Sequence, residues 1–141
     1  MKRRKIKMDN NYIPLPSHLG DETYPNGIFH FNISRIVEDI DSGILHVERE
    51  TIDVKRWFKT HTHGKINETH LPTVDVSSSI IQAEIRPGRF EVIDGNHRIE
   101  KAYLENISTI PSYKVKGEQL IPYFKAKDGY MAFVEYWNSK L

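Results

Sequence analysis

The chain has 141 residues, 20 Lys and Arg against 19 Asp and Glu, a formal net charge of +1, and no cysteine. Near-neutrality excludes a general attraction to nucleic acid or anionic membrane, and the lack of cysteine excludes disulfides, thiolate zinc sites and cysteine nucleophiles. A hydrophobic share of 38% is enough for a core, and a chain of this length fits a single domain.

Residues 1–27 read as an irregular N-terminal arm, because Pro14, Pro16, Gly20, Pro25 and Gly27 punctuate a polar stretch. Its start, Lys2 to Lys7, is basic, but no apolar stretch follows. Neither an export signal nor a membrane span is expected, and the location implied is cytoplasmic. Residues 28–141 read as the domain. Ile28 to Ile33 and Leu45 to Ile52 carry strand-like alternation, with a short helix over Ser34 to Ile40 between them. Asp53 is placed to cap a helix running to Thr60, with Val54, Trp57 and Phe58 on one face.

His61 to Pro72 is a long polar loop, of the kind that is either functional or mobile. It is the natural lid, with His61, His63 and Lys65 within reach of a ligand. The H-x-H pair His61 and His63, with His70 beyond it, also admits a metal site, and ordinary loop histidines are the plainer alternative.

Ser79 to Ile85 and Arg89 to Ile93 flank Arg86-Pro87-Gly88 and predict a β-hairpin. A helix over Ile99 to Glu105 follows, with Ile99, Ala102 and Tyr103 inward, then a strand over Thr109 to Val115. After the apolar segment Leu120 to Tyr123, the residues Tyr130, Phe133, Val134 and Trp137 recur at helical spacing and read as core.

Asp94-Gly95-Asn96-His97-Arg98 lie where a strand delivers the chain to a helix. The first N–H groups of a helix lack intrahelical partners and sit at the positive end of its dipole, so they attract phosphate or carboxylate. Gly95 lets the backbone come close to such a ligand. Arg98 offers a planar charged fork, and His97 a donor that titrates near neutrality. Asp94 is a candidate Mg²⁺ ligand or proton acceptor. The alternative is structural: Asn96 caps the helix, Arg98 pairs with Glu91 or Glu100, and His97 fills a half-buried slot. Residue types alone leave the two readings even.

The run Phe90-Glu91-Val92-Ile93-Asp94-Gly95-Asn96-His97-Arg98-Ile99-Glu100-Lys101-Ala102 resembles the signature of the ParB and sulfiredoxin superfamily. The resemblance spans about Ile28 to Val115, with Ser79 to Ile85 and Ile107 to Lys114 matching the strands before and after the motif. It implies an α+β, ParB/sulfiredoxin-like fold, a small mixed sheet with helices packed around it. It also implies a nucleotide such as ATP, ADP or CTP held by Gly95, Asn96, His97 and Arg98. Mg²⁺ at Asp94 and catalysis by Asp94, His97 and Glu84 would make the protein a phosphotransferase or nucleotide hydrolase. Sulfiredoxins place a cysteine where Asn96 stands, so their reductase activity is excluded. Partition proteins continue into DNA-binding and dimerisation segments, whereas only residues 116–141 follow Val115.

Two other readings stay open. One is a nucleic-acid-binding protein or nuclease, with the basic arm, Arg86, Arg89, Arg98 and Lys101 as its face. The other is a catalytically silent binding module of a bacterial or phage regulatory system. The oligomeric state is not readable.

Overall fold

The structure is a computed structural model, and it describes residues 4–26, 29–64 and 71–141. Its elements run in chain order: β1 (Thr23–Asn26), β2 (Phe29–Asn32), α1 (Ile33–Asp41), β3 (Glu48–Asp53), α2 (Val54–Trp57), β4 (Ile80–Arg86), β5 (Arg89–Asp94), α3 (Asn96–Leu104), β6 (Thr109–Val115), α4 (Gly117–Leu120) and α5 (Lys127–Ser139). Short 3₁₀ turns cover Leu71–Thr73 and Ile121–Tyr123. The fold is α+β. β1 and β2 form a two-stranded antiparallel sheet, and the other four strands form a mixed sheet in the order β3-β6-β4-β5.

The boundaries follow local chemistry. Asn32 ends β2 by capping α1, its side chain accepting the Arg35 N–H at 3.0 Å, so Ile33 joins the helix rather than the strand expected there. Asp53 caps α2 by accepting the Arg56 N–H, but α2 stops at Trp57, short of Thr60. β3 starts at Glu48, three residues after the alternation begins at Leu45. The Pro87-Gly88 turn closes the hairpin with Gly88 at φ 79°, the left-handed geometry that suits glycine after proline. β1 lies inside the stretch expected to be irregular, with Pro25 opposite His30.

The chain divides into two compact units. The first comprises Met1–Val47, Ala83–Glu91 and Val115–Leu141. Its centre is aromatic: Phe31, Phe124, Phe133 and Trp137 are buried, with Phe31 and Phe124 centroids 4.8 Å apart and Phe124 and Phe133 5.0 Å apart. The N-terminal arm lies against α5 through its backbone. Asn138 accepts from the Ile6 N–H at 2.8 Å and donates to the Ile6 carbonyl at 3.0 Å, as a strand partner would. The Trp137 indole donates to the Arg4 carbonyl at 3.0 Å, and Tyr12 stacks on Tyr130 at 3.9 Å.

The second unit comprises Glu48–Gln82 and Val92–Lys114. β3 pairs antiparallel with β6, Ile52 opposite Ile110, and Lys114 reaches Glu50 at 3.0 Å across the pair. Ile52, Val54, Ile80, Val92, Ile99, Ala102 and Ile110 form its core, with Trp57, Phe58 and Ile107 packed against them. The buried Gln82 amide donates to Ser112 Oγ at 2.9 Å, so its polar atoms are matched inside. α3 therefore lies on the sheet through Ile99 and Ala102, whereas Tyr103, expected to point inward, is 42% exposed. No helix among the described residues is long and apolar enough to cross a membrane.

Candidate functional site

β5 ends at Asp94, and Gly95 turns the chain directly into α3. Gly95 is the N-cap, at φ 99° and ψ 23°, in the left-handed region. A Cβ there would stand 2.5 Å from Ile80 Cγ2 and 2.9 Å from Arg98 Nη1. Conformation and crowding thus both demand glycine at the strand-to-helix junction. The Arg98 and Ile99 N–H groups both donate to the Gly95 carbonyl, at 3.0 and 3.2 Å. Glycine brings no side chain to the cap, so the start of α3 presents backbone donors at the positive end of the helix dipole.

Arg98 is folded back beneath this turn. Its Nη1 donates to the Ser79 carbonyl at 2.8 Å, at the residue before β4, and its Nη2 lies 3.9 Å from Asp94 Oδ2. A guanidinium carries five N–H donors, so the Ser79 bond fixes its plane without using up its charge. Lys101, one turn on, donates to the Val74 carbonyl at 2.8 Å. The segment between these two carbonyls is a tight polar turn, in which Asp75 accepts from the Ser77 N–H at 2.9 Å and from the Ser77 hydroxyl at 2.6 Å. Those hydrogen bonds, with the charge of Arg98 contributing last, hold the Asp75 carboxyl below its ordinary range. Sequence reasoning missed this wall of the site, because nothing in a serine run shows which carbonyl an arginine will choose.

Of the structural alternatives for the motif, the partly buried slot of His97 is present, whereas the cap of α3 and the partners of Arg98 differ. Gly95, not Asn96, caps α3, and the Asn96 side chain is exposed. Arg98 does not pair with Glu100, which meets His63 instead. His97 is half-buried. Asp94 ends β5, Gly95 caps α3, and Asn96, His97 and Arg98 open the helix.

Glu84, the remaining candidate catalytic residue, is buried in β4. It lies in the first unit, 1% exposed, and its carboxylate accepts the Gly88 N–H at 2.9 Å and the Gly117 N–H at 3.0 Å. A carboxylate bonded in this way ties the hairpin turn to the start of α4. β4 is buried on both faces from Ile80 to Ile85.

The lid histidines are packed rather than loose. His61 stacks on Trp57 at 3.6 Å, with Nδ1 3.0 Å from the Trp57 carbonyl. His63 stacks on Phe58 at 3.9 Å, and its Nδ1 lies 2.6 and 3.0 Å from the two carboxylate oxygens of Glu100. Lys65 and His70 lie outside the described residues. Among the described residues no three His, Asp or Glu side chains gather in a way that could hold a metal ion. Asp94 could offer Mg²⁺ one carboxylate, and Mg²⁺ commonly takes one or two carboxylates together with substrate phosphates.

No family model matches the chain, and no curated protein or solved structure matches it.

Proposed function

We propose that the turn Asp94 to Arg98 binds the phosphates of a nucleotide accompanied by Mg²⁺ and supports hydrolysis or transfer of a phosphoryl group. The observation that carries this reading is Gly95: a left-handed glycine, crowded by Ile80 and Arg98, opening a helix directly from a strand. That arrangement brings backbone donors and a guanidinium together at a residue with no side chain of its own, which suits a phosphate group. Asn96 and His97 flank the phosphates, and Asp94 holds the ion.

Thermal unfolding of the wild type and Arg98→Ala with ATP, ADP, CTP and GTP, with and without Mg²⁺, tests the reading. A ligand at 100 times its Kd adds about 2.7 kcal/mol of stability. The wild type is expected to gain stability with at least one nucleotide. Arg98→Ala starts lower, having lost its bond to Ser79, and is expected to gain nothing. An equal gain in both proteins contradicts the proposal.

A second reading, nucleic-acid binding, is favoured by one observation in the arm. Arg4, Lys5 and Lys7 are exposed, while the arm's backbone is held by Asn138 and Trp137. Docking through the backbone leaves the cationic side chains outward, and binding of this kind weakens steeply with salt.

A further inference from the structure

We propose that His63 and Glu100 form a catalytic pair in which Glu100 orients the imidazole and His63 Nε2 takes the proton from a water molecule attacking the bound phosphate. The inference rests on the phosphate reading of the α3 turn and adds the base that reading lacks. Glu100 is 5% exposed, and its two oxygens converge on one ring nitrogen, Nδ1 of His63, at 2.6 and 3.0 Å. An ionised carboxylate only accepts, so Nδ1 is the donor to Glu100, and in the neutral ring Nε2 is the acceptor. The ring is clamped: it lies flat on Phe58 at 3.9 Å and 12°, and meets the edge of Tyr103 at 4.6 Å and 62°. His63 is nonetheless 46% exposed, so a half-open imidazole is backed by a buried carboxylate and two aromatic walls. A base oriented by a third group is the recurring design of proton-abstracting sites.

Its place on α3 connects it with the turn. Asn96 and Glu100 are four residues apart, on the same helix face and about 6 Å apart along the axis. Side chains on a helix lean toward its N-terminus, so the Glu100 carboxylate is directed from its own Cα toward the turn. The opposite flank of α3 is occupied by the Ser79 and Val74 carbonyls, bonded to Arg98 and Lys101. The start of α3 thus has the braced Arg98 on one side and, one turn further along, the His63 and Glu100 side on the other. In the proposed step, water oxygen forms a bond to phosphorus as its proton passes to Nε2. The bond from phosphorus to the leaving phosphate oxygen breaks, that oxygen keeps the electron pair, and His63 returns its proton to solvent. His63 is the catalytic residue and Glu100 the positioning residue.

The experiment measures phosphate release from Mg²⁺ complexes of ATP, CTP and GTP by the wild type, His63→Gln and Glu100→Gln, alongside nucleotide-induced thermal shifts and ¹⁵N NMR of the His63 ring. Removing a general base costs roughly 100-fold or more in rate. His63→Gln is expected to lose at least that factor while keeping the wild-type thermal shift. Glu100→Gln is expected to lose the Nδ1-protonated tautomer together with turnover. Equal turnover in His63→Gln, nucleotide binding without phosphate release by the wild type, or a ring proton on Nε2 in the wild type would each overturn the pair while leaving phosphate binding standing. Absence of any nucleotide-induced shift in the wild type overturns phosphate binding and the pair together.

Discussion

Gly95 meets three demands at once: a left-handed backbone, the side chain of Ile80, and the guanidinium of Arg98. Gly95→Ala is expected to destabilise the protein by about 1–3 kcal/mol, the usual cost of a residue forced into a sparsely populated conformation. Urea denaturation measures it, and an unchanged midpoint would contradict the packing described. The carboxylates show where residue-level reading stops. Asp94, Asn96 and Arg98 are consecutive with the glycine, so their grouping was legible. Glu84 and Glu100 were not, because their partners, Gly88 and Gly117 for one and His63 for the other, are set by how distant segments pack. Glu84→Ala strands two backbone donors, each worth roughly 1–3 kcal/mol when left buried without an acceptor. Its stability loss is therefore expected to be large and its nucleotide-induced thermal shift unchanged. A lost shift would place Glu84 in the binding site.

At the scale of elements, the hairpin of β4 and β5, the strand β6 and the aromatic helix α5 were all readable, since turn chemistry and hydrophobic period agree in each. α3 begins three residues earlier than its apolar pattern, because the cap is a glycine whose backbone, not a side chain, starts the helix. β1 was hidden by Pro25, which has no N–H to donate; a two-stranded sheet tolerates it because each strand is an edge. The arm's attachment to α5 was unreadable too, as it depends on one amide side chain matching one peptide. Its pH behaviour follows from Tyr12. Burial pushes that phenol up from 10.0 to about 12. A raised pKa means that the folded protein prefers the neutral phenol more than the unfolded chain does. The stabilisation is complete below pH 10 and declines as pH rises through the window from about 10 to about 12. Tyr12→Phe is expected to flatten that alkaline loss, measured as the midpoint of chemical denaturation against pH. An unchanged slope would place the titrating group elsewhere.

For the whole molecule, a net charge of +1 leaves little long-range field, so recognition falls to local features. Two are present: the strand-to-helix turn with its braced arginine, and the exposed cationic side chains of the arm. They predict different salt responses. Nucleic acid held by the arm should be released steeply by salt and lost when residues 1–7 are deleted, whereas a phosphate at the turn should bind equally well to the shortened chain.

The most direct measurement follows the backbone amides of the ¹⁵N-labelled protein by NMR as Mg²⁺-ATP, Mg²⁺-CTP and inorganic tripolyphosphate are added in turn. Phosphate binding at the start of α3 predicts that the largest shifts fall on Gly95, Asn96, His97 and Arg98, with smaller ones at Ser79. Amides of the turn that stay still under all three ligands, or shifts confined to the arm, would contradict it.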